Sequence, residues 1–101
     1  MIFKSTVGKG IELTPKSLKH IKERHPIMEA YLDLIDQVLA NPEEIRYSVR
    51  TREVLLFYKY YARIEGGKYV VVVVKINKRN FILTIYLTEK IKSGDTYEKG
   101  A

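Results

Sequence analysis

The sequence predicts an α+β fold in which N-terminal helices pack on a four-stranded antiparallel meander sheet. Three observations carry this. Up to Pro42 the apolar residues recur at three- and four-residue spacing, as on one face of a helix. Beyond it they alternate every second residue, as in half-buried strands. The runs are joined by short turn-like segments, Glu65-Gly66-Gly67 and Asn77-Lys78-Arg79-Asn80 among them, which suit antiparallel neighbours better than crossovers.

The elements follow in order. Val7-Gly8-Lys9-Gly10 is a turn signal between apolar-rich runs at 2–6 and 11–13, so residues 1–13 form either a hairpin or an extended arm. Thr14-Pro15 then opens a helix, because threonine can cap free amides and proline suits the first helical position. This helix should reach about Arg24, since Pro26 pushes the residue before it out of helical geometry. A second helix is expected over 27–39, with Ile27, Met28, Tyr31, Leu32, Ile35, Val38 and Leu39 on its apolar face. Asn41-Pro42 ends it. Strands are expected over 44–50, 53–64, 68–76 and 81–88, the third carrying five consecutive valines as a central strand would.

Length and composition agree with a single domain over residues 1–101. The chain is 46% hydrophobic and 30% charged, a globular and not a disordered balance. Its longest apolar stretch, 69–74, is far too short to span a bilayer, and the N-terminus lacks a secretory pattern. With no cysteine there is neither a disulfide framework nor a thiolate metal site, which fits a cytoplasmic protein. The net charge of +6 points to a polyanionic partner such as nucleic acid. A solubilising surface of the kind common in heat-adapted proteins is the alternative.

Sorting each strand by alternation gives an apolar side for the helices and a second, mixed side. On that side the sequence predicts Arg46, Arg50, Lys59, Tyr61, Arg63, Tyr69, Lys75, Thr84 and Tyr86. Cations interleaved with flat rings are what a surface binding single-stranded nucleic acid requires. An ordinary solvated sheet face rich in tyrosine and threonine would read similarly. On the first helix Lys16, His20 and Arg24 share a face, while Leu18 and Ile21 point the opposite way. His20 reads either as a surface histidine among charges or as an acid–base group. His25 reads either as a partial helix cap or as a side chain that Pro26 aims into a cleft. A zinc site from both is not expected, because five-residue spacing splays them and no third soft ligand exists.

These motifs resemble a known group. His20-Ile21 and Arg24-His25-Pro26, then Asn41-Pro42, Phe57-Tyr58-Lys59, the valine strand, and Thr84-Ile85-Tyr86-Leu87-Thr88 followed by Lys90-Ile91-Lys92-x-Gly94 stand in a familiar order. The order is similar to that of the phage-associated branch of the barnase–EndoU–colicin–RelE-like ribonuclease superfamily, over residues 14–94. The resemblance implies helices followed by a four-stranded antiparallel sheet, and RNA cleavage without a metal or other cofactor. Many members of that superfamily act as toxins or in mobile-element conflict. On the matched motifs it implies His20, Arg24, His25, Lys59, Thr84 and Tyr86 as catalytic candidates. Lys75 is added from the sheet-face analysis.

The expected function is therefore a metal-independent endoribonuclease, toxin-like, that cleaves RNA by attack of a ribose 2′-hydroxyl on the adjacent phosphate. Histidine suits either proton role because its ordinary pKa of about 6.5 lies near neutral pH. RNA is the expected partner, with an acidic antitoxin or immunity protein as a further one and no membrane. The alternative is a non-catalytic RNA-binding or regulatory module of a mobile element, since one scaffold hosts many functions.

Overall fold

The computed structural model describes residues 1–92 and 94–97 of the chain. Two short strands come first, β1 at Ile2–Lys4 and β2 at Gly10–Glu12, then helix α1 at Pro15–Arg24. A 3-10 segment at Pro26–Leu34 leads into α2 at Ile35–Ala40. Four strands follow: β3 at Glu44–Tyr47, β4 at Val54–Tyr61, β5 at Lys68–Ile76 and β6 at Asn80–Thr88. They form one six-stranded sheet in the order β1-β2-β6-β5-β4-β3.

The expected meander is present from β3 to β6, with every neighbouring pair antiparallel. The sheet is larger than expected because residues 1–13 form a hairpin that joins its edge. β2 pairs parallel with β6 through Glu12 and Phe81, which makes the sheet mixed. The physical reason is Ile11, which is fully buried and anchors the hairpin in the core. A backbone bond from the Thr6 amide to the Leu39 carbonyl, at 2.9 Å, ties the hairpin turn to α2.

Helix α1 starts as its sequence signals require. The Thr14 hydroxyl accepts from the Ser17 amide at 3.0 Å, and Pro15 occupies the first turn where no amide bond is lost. The expected second helix is instead a long 3-10 segment followed by a short α-helix. Apolar residues at Met28, Tyr31 and Leu34 recur every three positions, which a 3-10 helix presents on one face as readily as an α-helix does. The tight turning begins at the chain reversal, where the Met28 amide donates to the His25 carbonyl at 2.8 Å. β3 and β4 are also shorter than expected. Residues 48–53 form a loop held by side chains, with Ser48 Oγ accepting from the Arg50 amide and Thr51 Oγ1 from the Glu53 amide. At the other end of β4, Gly66 and Gly67 turn the chain at φ of +78° and +109°, conformations that side chains disfavour.

Helices and sheet share one core on one face of the sheet. Ile21, Met28, Ile35, Val38 and Leu39 meet Leu55, Phe57, Val70, Val72, Val74, Ile82 and Ile85 there. Two expectations about faces are corrected. On β4 the core side is Leu55 and Phe57, so Leu56, Tyr58 and Tyr60 occupy the second face, the reverse of the sequence assignment. On β6 the even alternation of Phe81, Leu83, Ile85 and Leu87 is broken. Val73 pairs with Thr84 but Val74 pairs with Ile82, so Leu83 is an extra residue in a β-bulge. Ile82 therefore joins the core in the place expected for Leu83, which stays only partly buried.

Core and bulge make opposite predictions for neighbouring residues. Ile82→Ala should cost about 2–5 kcal/mol, as for a buried aliphatic side chain. Leu83→Ala should cost less than half as much, read from denaturant midpoints. Equal losses at the two positions would contradict the bulge assignment.

Candidate active site

Helix α1 straddles the edge of β6 where the short strand β2 no longer covers it. Ile21 and Ser17 are buried on one side of the helix, and the next residues round, Lys16 and His20, are exposed. The sheet face next to His20 is the second face, away from the core. Cross-strand rows on that face read Tyr58–Val71–Tyr86, Leu56–Val73–Thr84, and Val54–Lys75–Phe81. An open cleft of about 850 Å³ lies between this face and α1, with His20, Lys16 and Ser17 on the helix wall and Lys75, Phe81, Leu83 and Thr84 on the sheet wall.

His25 closes α1 and opens the 3-10 segment. Its amide donates to the Ile21 carbonyl at 2.8 Å and its carbonyl accepts from Met28, so its backbone is fixed from both sides. The ring is half-buried and lies beside Tyr86, 6.3 Å between ring centroids at an interplanar angle of 32°. His20 and His25 are also 6.3 Å apart, edge to face. Three rings from two distant parts of the sequence thus meet at the end of the cleft. Thr84 stands beside them, its hydroxyl oxygen buried without a hydrogen-bond partner among the described residues. Such an atom is costly unless something engages it.

Burial pushes the Tyr86 phenol above its ordinary value, and the neighbouring Tyr58 adds to the effect. At neutral pH it is therefore a proton-bearing hydrogen-bond donor. Burial likewise raises Tyr58, opposed by a backbone hydrogen bond from Lys92 and by Arg46. Two further rings extend the surface away from the histidines: Tyr69 packs edge-on against Tyr58 at 6.2 Å and against Tyr60 at 5.2 Å.

The other expected residues are spread over the molecule. Arg24 sits exposed in the last turn of α1, beside His25. Arg46 is on the second face but at the far edge, three strands or about 14 Å from β6. Its guanidinium is engaged by Glu44 Oε2 at 2.6 Å and the Gly94 carbonyl at 2.9 Å. That glycine closes the Lys90-Ile91-Lys92-x-Gly94 motif (Ser93 lies outside the described residues). A side chain at Gly94 would press on the Tyr47 carbonyl, so the motif's glycine permits residues 94–97 to lie along β3. Arg50 belongs to the exposed 48–53 loop.

Lys59, Tyr61 and Arg63 lie apart from the histidines. Lys59 Nζ donates to the Asn41 carbonyl at 3.0 Å, and the Tyr61 hydroxyl bonds Gln37 Oε1 of α2 at 3.1 Å. Burial raises the Tyr61 phenol, and Asp36, Asp33 and Glu43 raise it further. Arg63 lines the same hollow as Asp33. The residues that the sequence pattern missed are Phe81 and Leu83, which even alternation assigns to the core.

The raised phenols carry a pH prediction. In the folded state Tyr58, Tyr61 and Tyr86 hold their protons at pH values where the unfolded chain has begun to lose them. The folded state then binds more protons than the unfolded one above pH about 10. This source of stability is complete below that pH and is lost as pH rises beyond it. Tyrosinate absorbance should show these three of the eight tyrosines ionising last, together with alkaline unfolding. Uniform titration of all eight near the ordinary value would contradict it.

A family model, phage-Barnase-EndoU-ColicinE5/D-RelE like nuclease2, matches residues 1–101. No curated protein and no solved structure gives a significant match. No helix among the described residues is long and apolar enough to cross a membrane.

Proposed function

Because the chain belongs to the phage-Barnase-EndoU-ColicinE5/D-RelE like nuclease2 family, a group of nuclease-like domains, we propose that it is a metal-independent endoribonuclease whose reacting groups are His20 and His25. The observation that carries this reading is the meeting of both imidazoles with Tyr86 at the end of a cleft that Lys75 lines. One imidazole takes the proton of a ribose 2′-hydroxyl as the 2′-oxygen bonds to the adjacent phosphorus. The bond from phosphorus to the 5′-oxygen breaks, and the other imidazole, carrying a proton, gives it to that oxygen. The products are a 2′,3′-cyclic phosphate and a 5′-hydroxyl. Lys75 offsets the charge that builds on the phosphoryl oxygens, with Arg24 assisting from the helix end. The Tyr86 phenol is a hydrogen-bond donor to the same oxygens.

The proposed steps draw only on groups the chain itself carries: two imidazoles, ammonium and guanidinium groups, and a phenol. Lys59 has no part in this reading, since its ammonium is bound on the opposite face. The setting we infer is cytoplasmic and toxin-like, with an acidic antitoxin or immunity protein as the inhibitor a +6 domain would attract.

Purified protein should cleave single-stranded RNA in EDTA and leave cyclic-phosphate ends. His20→Ala and His25→Ala should each lower the rate by about two to four orders of magnitude with the fold intact. If both folded variants keep full activity the mechanism fails, and a non-catalytic RNA-binding module is the surviving reading. The two lysines give a separate check. Lys75→Ala should weaken RNA binding and reduce the salt slope by about one unit, whereas Lys59→Ala should change neither.

A further inference from the structure

The bulge at Leu83 leaves two large apolar side chains where a simple sheet would not put them. Phe81 and Leu83 line the cleft partly buried, while Ile82 and Ile85 on the same strand are fully buried. Apolar side chains that line a concave site without being fully buried suit a ligand seat, and bulges recur where a side chain must be re-aimed at a site. The chemistry round the two residues alternates sharply. Their floor is apolar and flat, the rim carries Lys16, Lys75 and Arg79, and His20 stands in the same wall. At the mouth, Arg79 pairs with Glu12 at 2.6 Å, which sets an acceptor and several donors side by side.

We propose that this cleft seats one unstacked nucleobase of a single RNA strand, with the base lying on the Phe81 ring and Leu83 beside it. The phosphate of the same nucleotide lies against Lys75 and Lys16. Its place next to the scissile bond rests on the reading of His20 and His25 as the reacting groups. A strand of RNA alternates flat apolar rings with anionic phosphates, and the cleft alternates in the complementary sense. The volume of about 850 Å³ is ample for one nucleotide. Bases paired within a duplex are stacked and turned inward, so the seat selects single-stranded or frayed RNA. The Glu12–Arg79 pair is the group at the mouth able to read the edge of the seated base.

The test uses binding of a non-cleavable strand, so that it does not depend on catalysis. The probes are a 2′-O-methyl RNA hexamer and an abasic hexamer with the same number of phosphates. The intact protein should bind the base-bearing strand at least about tenfold more tightly, the scale of one base stacked on an aromatic ring. NMR signals of Phe81 and Leu83 should shift with the first strand and not with the second. Phe81→Ala should remove most of the discrimination and Phe81→Trp should keep it. Phe81→Leu, which preserves bulk without a flat face, should behave like the alanine variant and serves if that variant is poorly folded. Equal affinity for the two strands overturns the proposal, as does folded Phe81→Leu with undiminished discrimination. Shifts confined to Tyr58, Tyr60 and Tyr69 overturn it too. RNA cleavage measured in parallel separates the two readings. Discrimination without cleavage sinks the nuclease reading alone, and cleavage without Phe81-dependent discrimination sinks the base seat alone.

Discussion

One extra residue in β6 decides how the two faces of this sheet are used. Strict alternation would place Phe81, Leu83, Ile85 and Leu87 on one side. The insertion of Leu83 opposite the Val73–Val74 step returns Ile82 and Ile85 to the core and leaves Phe81, Leu83, Thr84 and Tyr86 on the outer side. The core loses little, because Ile82 fills the layer as well as Leu83 would. The outer face gains an apolar floor directly beside Lys75, with which Phe81 is paired across the strands. Without the bulge the cleft would lack either its floor or the sheet beneath it.

The helix completes the site through a second constraint, its position across an edge. A helix laid squarely on the core face could offer its polar side only to solvent, far from Thr84 and Tyr86. α1 instead buries Ile21 and Ser17 and packs chiefly on β6 among the sheet strands beyond the hairpin. About 100° per residue then carries His20 round to the outer face. The reversal at His25-Pro26 adds the second ring. His25 uses its amide to end one helix and its carbonyl to start the next segment, so the backbone is held while the imidazole reaches Tyr86. Buried contact on one side and the exposed His20 on the other thus come from a single ten-residue element.

Most of the element order was legible because it depends on local signals. Thr14-Pro15 capped α1, Pro26 ended it, and the valine run is β5 with the expected limits of Lys68–Ile76. The structure departs from the expectation on β4 and at the β6 bulge, where a half-step in register decides the face. β4 reads as apolar on both sides, since Val54, Leu56 and Tyr58 alternate with Leu55, Phe57 and Lys59 as plausible core sets. Alternation alone puts Lys59, Tyr61 and Arg63 on the face of Tyr86, whereas in the structure Tyr61 lies near Asp33, Asp36 and Glu43. Lys75, Thr84 and Tyr86 were sorted rightly, since a lysine or threonine in an apolar strand marks the wet side without ambiguity. The bulge left no mark in the alternation, because Leu83 and Ile82 are equally apolar.

The sorting of cations follows from the same geometry and narrows where a polyanion can lie. Arg46 on the outer face is already engaged by Glu44 and by the Gly94 carbonyl, and the C-terminal segment along β3 closes that edge. Tyr58, beneath the neighbouring row, is almost wholly covered, at 1% exposure. Lys59 is tied to Asn41 on the far side. Of the cations near the outer face, Lys16, Lys75 and Arg24 take part in no ion pair among the described residues. All three lie on α1 or at its cleft. On the proposed reading a strand of phosphates lies along the β6 edge, beside the imidazoles and the buried Thr84 hydroxyl, which has no hydrogen-bond partner among the described residues. The net charge alone does not say where a partner binds; the proposed reading rests on the cations that stand beside the imidazoles, not on the sum.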